Sequence, residues 1–236
     1  MSLNWTAVVE HLPTMLKASV ITIELVAISC VFGLIFGVVL GLLRSSKHIW
    51  IKALPFVYIF FFRGTPLLIQ IFLIYQGLGQ FDFVKDSFLW EPIFQKAYWC
   101  AIIAFTLNTA AYIAEIVRGA IVAIPKGELE AADAIGMSKW QKIHRIMLPR
   151  AFGIMLPAYS NEVIFILKGS ALAASITLAE LTYAAKNLSA KNYMHIEMYT
   201  AAGVIYLILA WVIMIGFRLF ENRINKHKRH APPTAS

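Results

Sequence analysis

A chain of 236 residues with 59% apolar side chains and a mean hydropathy of +0.69 is too apolar for a single soluble domain, in which apolar residues make up nearer half. Its net charge of +8 does not point to nucleic acid, because no aromatic–basic stacking platform accompanies the cations. Instead, 14 of the 21 Lys and Arg residues fall in three places, 44–52, 118–150 and the tail from 218, the pattern expected of loops on the inner side of a membrane.

Glu10 and Lys17 stand where a cleaved signal would carry a compact basic region, and the apolar run that follows is too long for one. It is expected to remain as a first span over 18–43. Gly33, Gly37 and Gly41 recur at four-residue spacing there, which predicts a face that packs closely on another helix. Arg44, Lys47 and Lys52 place the end of that span in the cytoplasm. A second span, 53–78, is interrupted by Arg63-Gly64-Thr65-Pro66, where the missing donor of Pro66 predicts a kink or break. The loop from Gly77 to Pro92 sets Asp82, Asp86 and Glu91 against Lys85 and reads as external. A third span, 97–117, ends at Arg118 and leads into the basic loop 118–150. A fourth covers 152–167. The Ala-rich stretch 171–185 is too polar for a crossing and reads as a short or re-entrant helix shielded by protein. The last span, 199–220, runs into the basic tail 221–236. Five spans with a basic C-terminus give an all-α integral membrane domain occupying residues 1–236, N-terminus out and C-terminus in. The chain shows no internal repeat of the kind seen in inverted-repeat carriers.

Cys30 and Cys100 lie in apolar spans, with the spacing of neither a disulfide framework nor a zinc site. His227 and His230 sit close together in the tail, where a lipid-facing charge cluster is the better reading than a metal site. The chain contains no Gly-x-x-x-x-Gly-Lys-Ser/Thr phosphate loop, so any ATP hydrolysis has to be supplied by another polypeptide.

In the loop 118–150, Pro125 suits a first helical turn, and Leu129, Ala132 and Ile135 form a narrow apolar stripe. Gly136 is placed to stop that helix in the left-handed conformation. Ser138 and Gln141 have the spacing of a capping box for a second helix, which Pro149 is expected to end. The product is a helix–turn–helix along the membrane face, with Ala131, Ala132 and Ala134 offering low relief and Glu130 a carboxylate.

The run Glu130-Ala131-Ala132, three residues, Gly136, nine residues, then Ile146-Met147-Leu148-Pro149 resembles the EAA loop of ATP-binding-cassette importer permeases. Phe62-Arg63-Gly64-Thr65-Pro66-Leu67-Leu68-Ile69-Gln70 and Ala111-Tyr112-Ile113-Ala114-Glu115-Ile116-Val117-Arg118-Gly119 are similar to the polar amino-acid uptake branch of that family. Around Glu162 the sequence looks most like permeases for histidine, lysine, arginine, ornithine and opines. The resemblance covers roughly 15–222 and implies a type I importer permease fold. It implies a non-enzymatic subunit that translocates polar, basic L-amino acids across a bacterial inner membrane. Glu130, Ala131, Ala132, Gly136, Ile146, Leu148 and Pro149 would form the coupling surface for a cytoplasmic ATPase dimer. The other implied partners are a second permease, with a paralogue favoured over a second copy, and a periplasmic amino-acid-binding protein. No cofactor is expected in this chain, ATP and Mg being held by the ATPase. Lys168-Gly169-Ser170-Ala171-Leu172 departs from the commonest family form, Lys-Asp/Ser-Thr-Ser-Leu. A self-sufficient carrier or channel is the alternative, and it leaves the Ala/Gly-rich loop without a purpose.

Ionisable groups at membrane depth are costly unless they meet a partner or line a cavity. Glu24 is expected to reach the headgroups or pair with Lys17. Arg63 and Glu115 are candidates for the solute pathway or for structural ion pairs. Glu162, near the middle of the fourth span, is placed to accept hydrogen bonds from a cationic group. Asn161, Ser160 and Tyr159 are weaker candidates, since polar side chains also join membrane helices.

Overall fold

Nearly unbroken apolar sequence from Ala18 onward makes α1 (Trp5–Arg44) one 40-residue helix in the computed structural model, which describes residues 5–46 and 48–224. Lys47 and the tail residues Lys226, His227, Lys228, Arg229 and His230 lie outside the described residues. At about 1.5 Å per residue α1 is about twice as long as a hydrocarbon layer is thick. Its helical start lies well ahead of residue 18 because Ala7 and Met15 are buried in a cluster with Leu181, Ala185, Met198 and Ala202.

α2 (Ile49–Gly64) and α3 (Leu67–Phe72) follow, the latter continued by helical turns to Gln80, and the two halves meet at 106°. The break falls at Thr65–Pro66, as the sequence predicts. A four-residue helix, α4 (Asp82–Lys85), lies in the connection to α5 (Ala97–Val122), the most deeply buried of the long helices. α1 lies directly on α5 because Gly33, Gly37 and Gly41 face Thr109, Ile113 and Val117; a Cβ at Gly37 would stand 2.6 Å from Ile113 Cβ. The glycine face therefore packs on protein.

α6 (Lys126–Ala134) and α7 (Lys139–Lys142) form the helix–turn–helix expected in the loop. α7 passes through a π-helical turn, Ile143–Met147, directly into α8 (Leu148–Gly169). Pro149 thus does not end the second loop helix. It sits at the second residue of α8, and the wide turn before it removes the need for its missing donor. A 3-10 segment, Ser170–Ile176, then leads to α9 (Leu181–Asn192) and α10 (His195–Ile224). α1, α5 and α10 are each long and apolar enough to cross a membrane; counting the bent pairs α2–α3 and Lys139–Ile176 with α9 raises the number to five.

Glu180, which carries no signal in the sequence, is fully buried and holds the α1, α9 and α10 side together. Its Oε1 accepts from Tyr183 N at 2.8 Å and caps α9, while Oε2 accepts from Tyr206 Oη at 2.8 Å and Thr22 Oγ1 at 3.5 Å. Leu181 N in turn donates to Thr22 Oγ1 at 3.1 Å. Glu180→Ala strands these donors and is expected to lower stability by about 3 kcal/mol. Thermal unfolding in detergent measures this; a variant as stable as the parent would remove Glu180 from that role.

Candidate functional site

The break between α2 and α3 is stitched by two amides. Gln70 Nε2 donates to Phe62 O at 2.9 Å, Thr65 O at 3.0 Å and Thr65 Oγ1 at 2.8 Å. Asn108 Nδ2, from α5, donates to Gln70 Oε1 at 3.0 Å and to Phe62 O at 3.3 Å. The Phe62 and Thr65 carbonyls, freed by the bend, are thereby satisfied, as non-helical backbone away from water requires. Beside the break lies a cavity of about 300 Å³ lined by Arg63, Thr65, Asn108, Tyr112 and Phe165, among others. The Arg63 guanidinium stands 5.2 Å above the Tyr112 ring, a cation–π distance.

Glu162, one turn of α8 before Phe165, is 7% exposed, and its Oε1 has no hydrogen-bond partner. It lies within electrostatic reach of Arg63, Tyr159 and Cys30. Tyr159 Oη donates to Cys30 O at 3.2 Å, and its ring meets Phe217 edge-on, so Tyr159 joins helices. Ser160 and Asn161 turn the other way, toward Trp211 and Arg218 of α10, where they line a separate cavity of about 390 Å³. Glu115 is remote in kind: Arg118 Nε lies 2.8 Å and Arg44 Nε 3.8 Å from its carboxylate, at the ends of α5 and α1. Arg63 and Glu115 therefore do not pair with each other. Glu24 accepts from Tyr98 Oη at 3.4 Å and not from Lys17, because α5 brings a donor closer than the next turns of α1. Of the polar candidates, Arg63 shares its cavity with Asn108 and Tyr112, and Glu162 stands apart from that lining, within electrostatic reach of Arg63 but not paired with it. Asn108 is a polar residue in mid-span, a signal that was available from sequence.

The second candidate surface is the loop. α6 ends with Gly136 N donating to Asp133 O and Met137 N to Ala132 O, both at 3.0 Å, and Gly136 at φ +73°; this is the Schellman arrangement. α7 opens with the capping box: Gln141 N donates to Ser138 Oγ at 3.2 Å and Ser138 N to Gln141 Oε1 at 2.9 Å. Lys142 Nζ holds Asp133 Oδ1, and Arg150 forks onto Glu128. The apolar stripe divides: Ala132 is buried and Leu129 packs against the cluster containing Ala151 and Met155, whereas Ile135 is 73% exposed. Glu130, Ala131, Ala134, Trp140 and Pro149 are exposed, while Ile146 and Leu148 are half-buried. Because Ala132 turns inward, the low-relief outer surface is made by Ala131 and Ala134.

Residues 33–226 match the family described as binding-protein-dependent transport system inner membrane component. Over 201 residues the chain is 45% identical to an octopine transport system permease protein of Rhizobium radiobacter, covering 85% of this chain and 82% of the relative. It is 38% identical over 207 residues to a histidine/lysine/arginine/ornithine transport system permease protein of Salmonella typhimurium, covering 88% of each. Its backbone superposes on a crystal structure of an amino acid ABC transporter with histidines with a TM-score of 0.83, at 31% identity, over 94% of this chain and 100% of that one.

Proposed function

We propose that this chain, which belongs to the family of binding-protein-dependent transport system inner membrane components, carries basic amino acids and related guanidinium compounds through the membrane. It is a multi-pass amino-acid permease of an ABC importer and catalyses no covalent chemistry; an ATPase and a solute-binding protein are its partners. The observation that carries the reading is the family match across 33–226. The substrate class rests on chemistry shared by the relatives' solutes, since arginine, lysine, ornithine and octopine all bear a cation at the end of the side chain. Glu162 is the group that suits such a cation, because a buried carboxylate oxygen without a partner recovers its hydrogen bonds when an ammonium or guanidinium arrives. Arg63, whose guanidinium lines the cavity beside the break, suits the α-carboxylate.

In this reading the five crossings are α1, the α2–α3 pair, α5, the α8–α9 pair and α10, with the N-terminus outside and the C-terminus inside. The basic loop 118–150 then faces the cytoplasm of a bacterial inner membrane. Glu130, Ala131, Gly136 and their neighbours receive the ATPase, which binds ATP and Mg. Two permeases share the translocation path, and a paralogue is the favoured second subunit.

Proteoliposomes holding this chain, its ATPase, the second permease and the binding protein test the proposal. Labelled arginine is expected to accumulate only with internal ATP; uptake by the chain alone under an imposed ion gradient would replace the reading with that of a secondary carrier. In the same assay Glu162→Gln is expected to weaken arginine half-saturation about tenfold or more, the loss of one charge-assisted contact, and to alter a neutral amino acid by less than about threefold. Equal losses for both would make Glu162 a structural group.

A further inference from the structure

The chain path from the surface helix α6 to the membrane helix α8 is mechanically interrupted twice. It turns through Gly136 in the left-handed region and then through the π-helical turn Ile143–Met147. Neither is a stiff rod; a π-helical turn inside a helix commonly marks a place of adjustment. Yet α6 is fixed to α8 across this path. Glu128, in the first turn of α6, receives both ends of the Arg150 fork, with Nε to Oε2 at 2.8 Å and Nη2 on Oε1. Leu129 adds an apolar contact to the cluster containing Ala151 and Met155. Arg150 is the third residue of α8, and the same helix carries Glu162 about 18 Å further on.

We infer that the Glu128–Arg150 pair is a positioning strut that makes α8 follow α6 when the ATPase moves that surface. The inference rests on the permease reading above. A forked guanidinium–carboxylate pair fixes relative orientation as well as distance, which a single point contact does not. Both side chains remain partly exposed, at 44% for Arg150 and 29% for Glu128, so the pair adds little to folding. Its loss frees α6 from α8 without unfolding either. The Lys142–Asp133 pair closes the helix–turn–helix on itself and does not reach α8, so it lacks this role.

The test uses the full complex with binding protein, comparing Glu128→Arg, Arg150→Glu and the two combined. Each single reversal is expected to co-purify with the ATPase at parental yield. Each should lower stimulation of ATP hydrolysis by loaded binding protein, and solute moved per ATP, about three- to tenfold, within the range found for residues that carry coupling without touching a ligand. The combined exchange should restore both to within about twofold of the parent. Singles that couple normally, an exchange no better than either single, or singles that fail to assemble would each overturn the strut. Failure of the parental chain itself to bind an ATPase or use ATP would instead overturn the permease reading.

Discussion

Replacing Gly37 by Leu is expected to leave almost no well-folded chain. A Cβ built there meets Ile113 Cβ and Cγ2 at 2.6 Å and Ala110 O at 3.0 Å. These are a branch point and a backbone atom of α5, neither of which swings aside like the end of a flexible side chain. The neighbouring contacts are as close: Gly41 would place a Cβ 2.8 Å from Ala114 O, and Gly33 one 2.7 Å from Thr109 Cγ2. The helices can accommodate a leucine only by separating, which forfeits the packing of the whole seam. Small-to-large changes in a packed core cost about 1–3 kcal/mol even where relaxation is possible, and a leucine between two touching backbones should exceed about 4 kcal/mol. Recovery of monodisperse chain in detergent is expected to fall at least about tenfold. Gly203→Leu is the matched control, because nothing lies within 4 Å of a Cβ there. Equal recovery of the two variants would refute the seam.

Gly136→Val should insert and fold in the membrane yet lose its ATPase. The position has φ +73°, and a Cβ would meet nothing within 4 Å, so the difficulty lies wholly in the backbone. A β-branched residue in the left-handed region costs about 1–3 kcal/mol. The turn escapes that cost by leaving the conformation, which removes the two bonds closing α6 and re-aims α6 against α7. The exposed patch of Glu130, Ala131, Ala134 and Ile135 then no longer presents its present shape. Co-purified ATPase is expected to drop at least about tenfold. Gly136→Asn, which tolerates the left-handed region, should stay within about threefold of the parent. A valine variant that assembles normally would show that the turn does not shape the docking surface.

What the sequence discloses here follows the range of the interactions involved. The glycine face, the break before Pro66, the left-handed Gly136 and the Ser138–Gln141 box are local: spacing along a few turns decides them, and each stands where spacing puts it. Pro149 departs from its expected role for a local reason as well, since its effect depends on the π-helical turn immediately before it. The clamp of Gln70 and Asn108 joins residues 38 apart, and Glu180 with Thr22 joins residues 158 apart. No periodicity registers such pairs. Glu24 shows the same point from the other side: its sequence neighbour Lys17 is less important than Tyr98, which arrives on another helix. The division of the polar candidates, with Glu162 buried and Asn161 facing α10, depends on the rotation of α8, which the amphipathic pattern alone leaves open.

The glycine seam has a consequence for movement. Two helices packed this closely at three successive turns resist sliding or pivoting on each other, so α1 and α5 are expected to move as a single stator. Any rearrangement that opens a path to either side of the bilayer has to be accommodated by the remaining elements swinging against that fixed post.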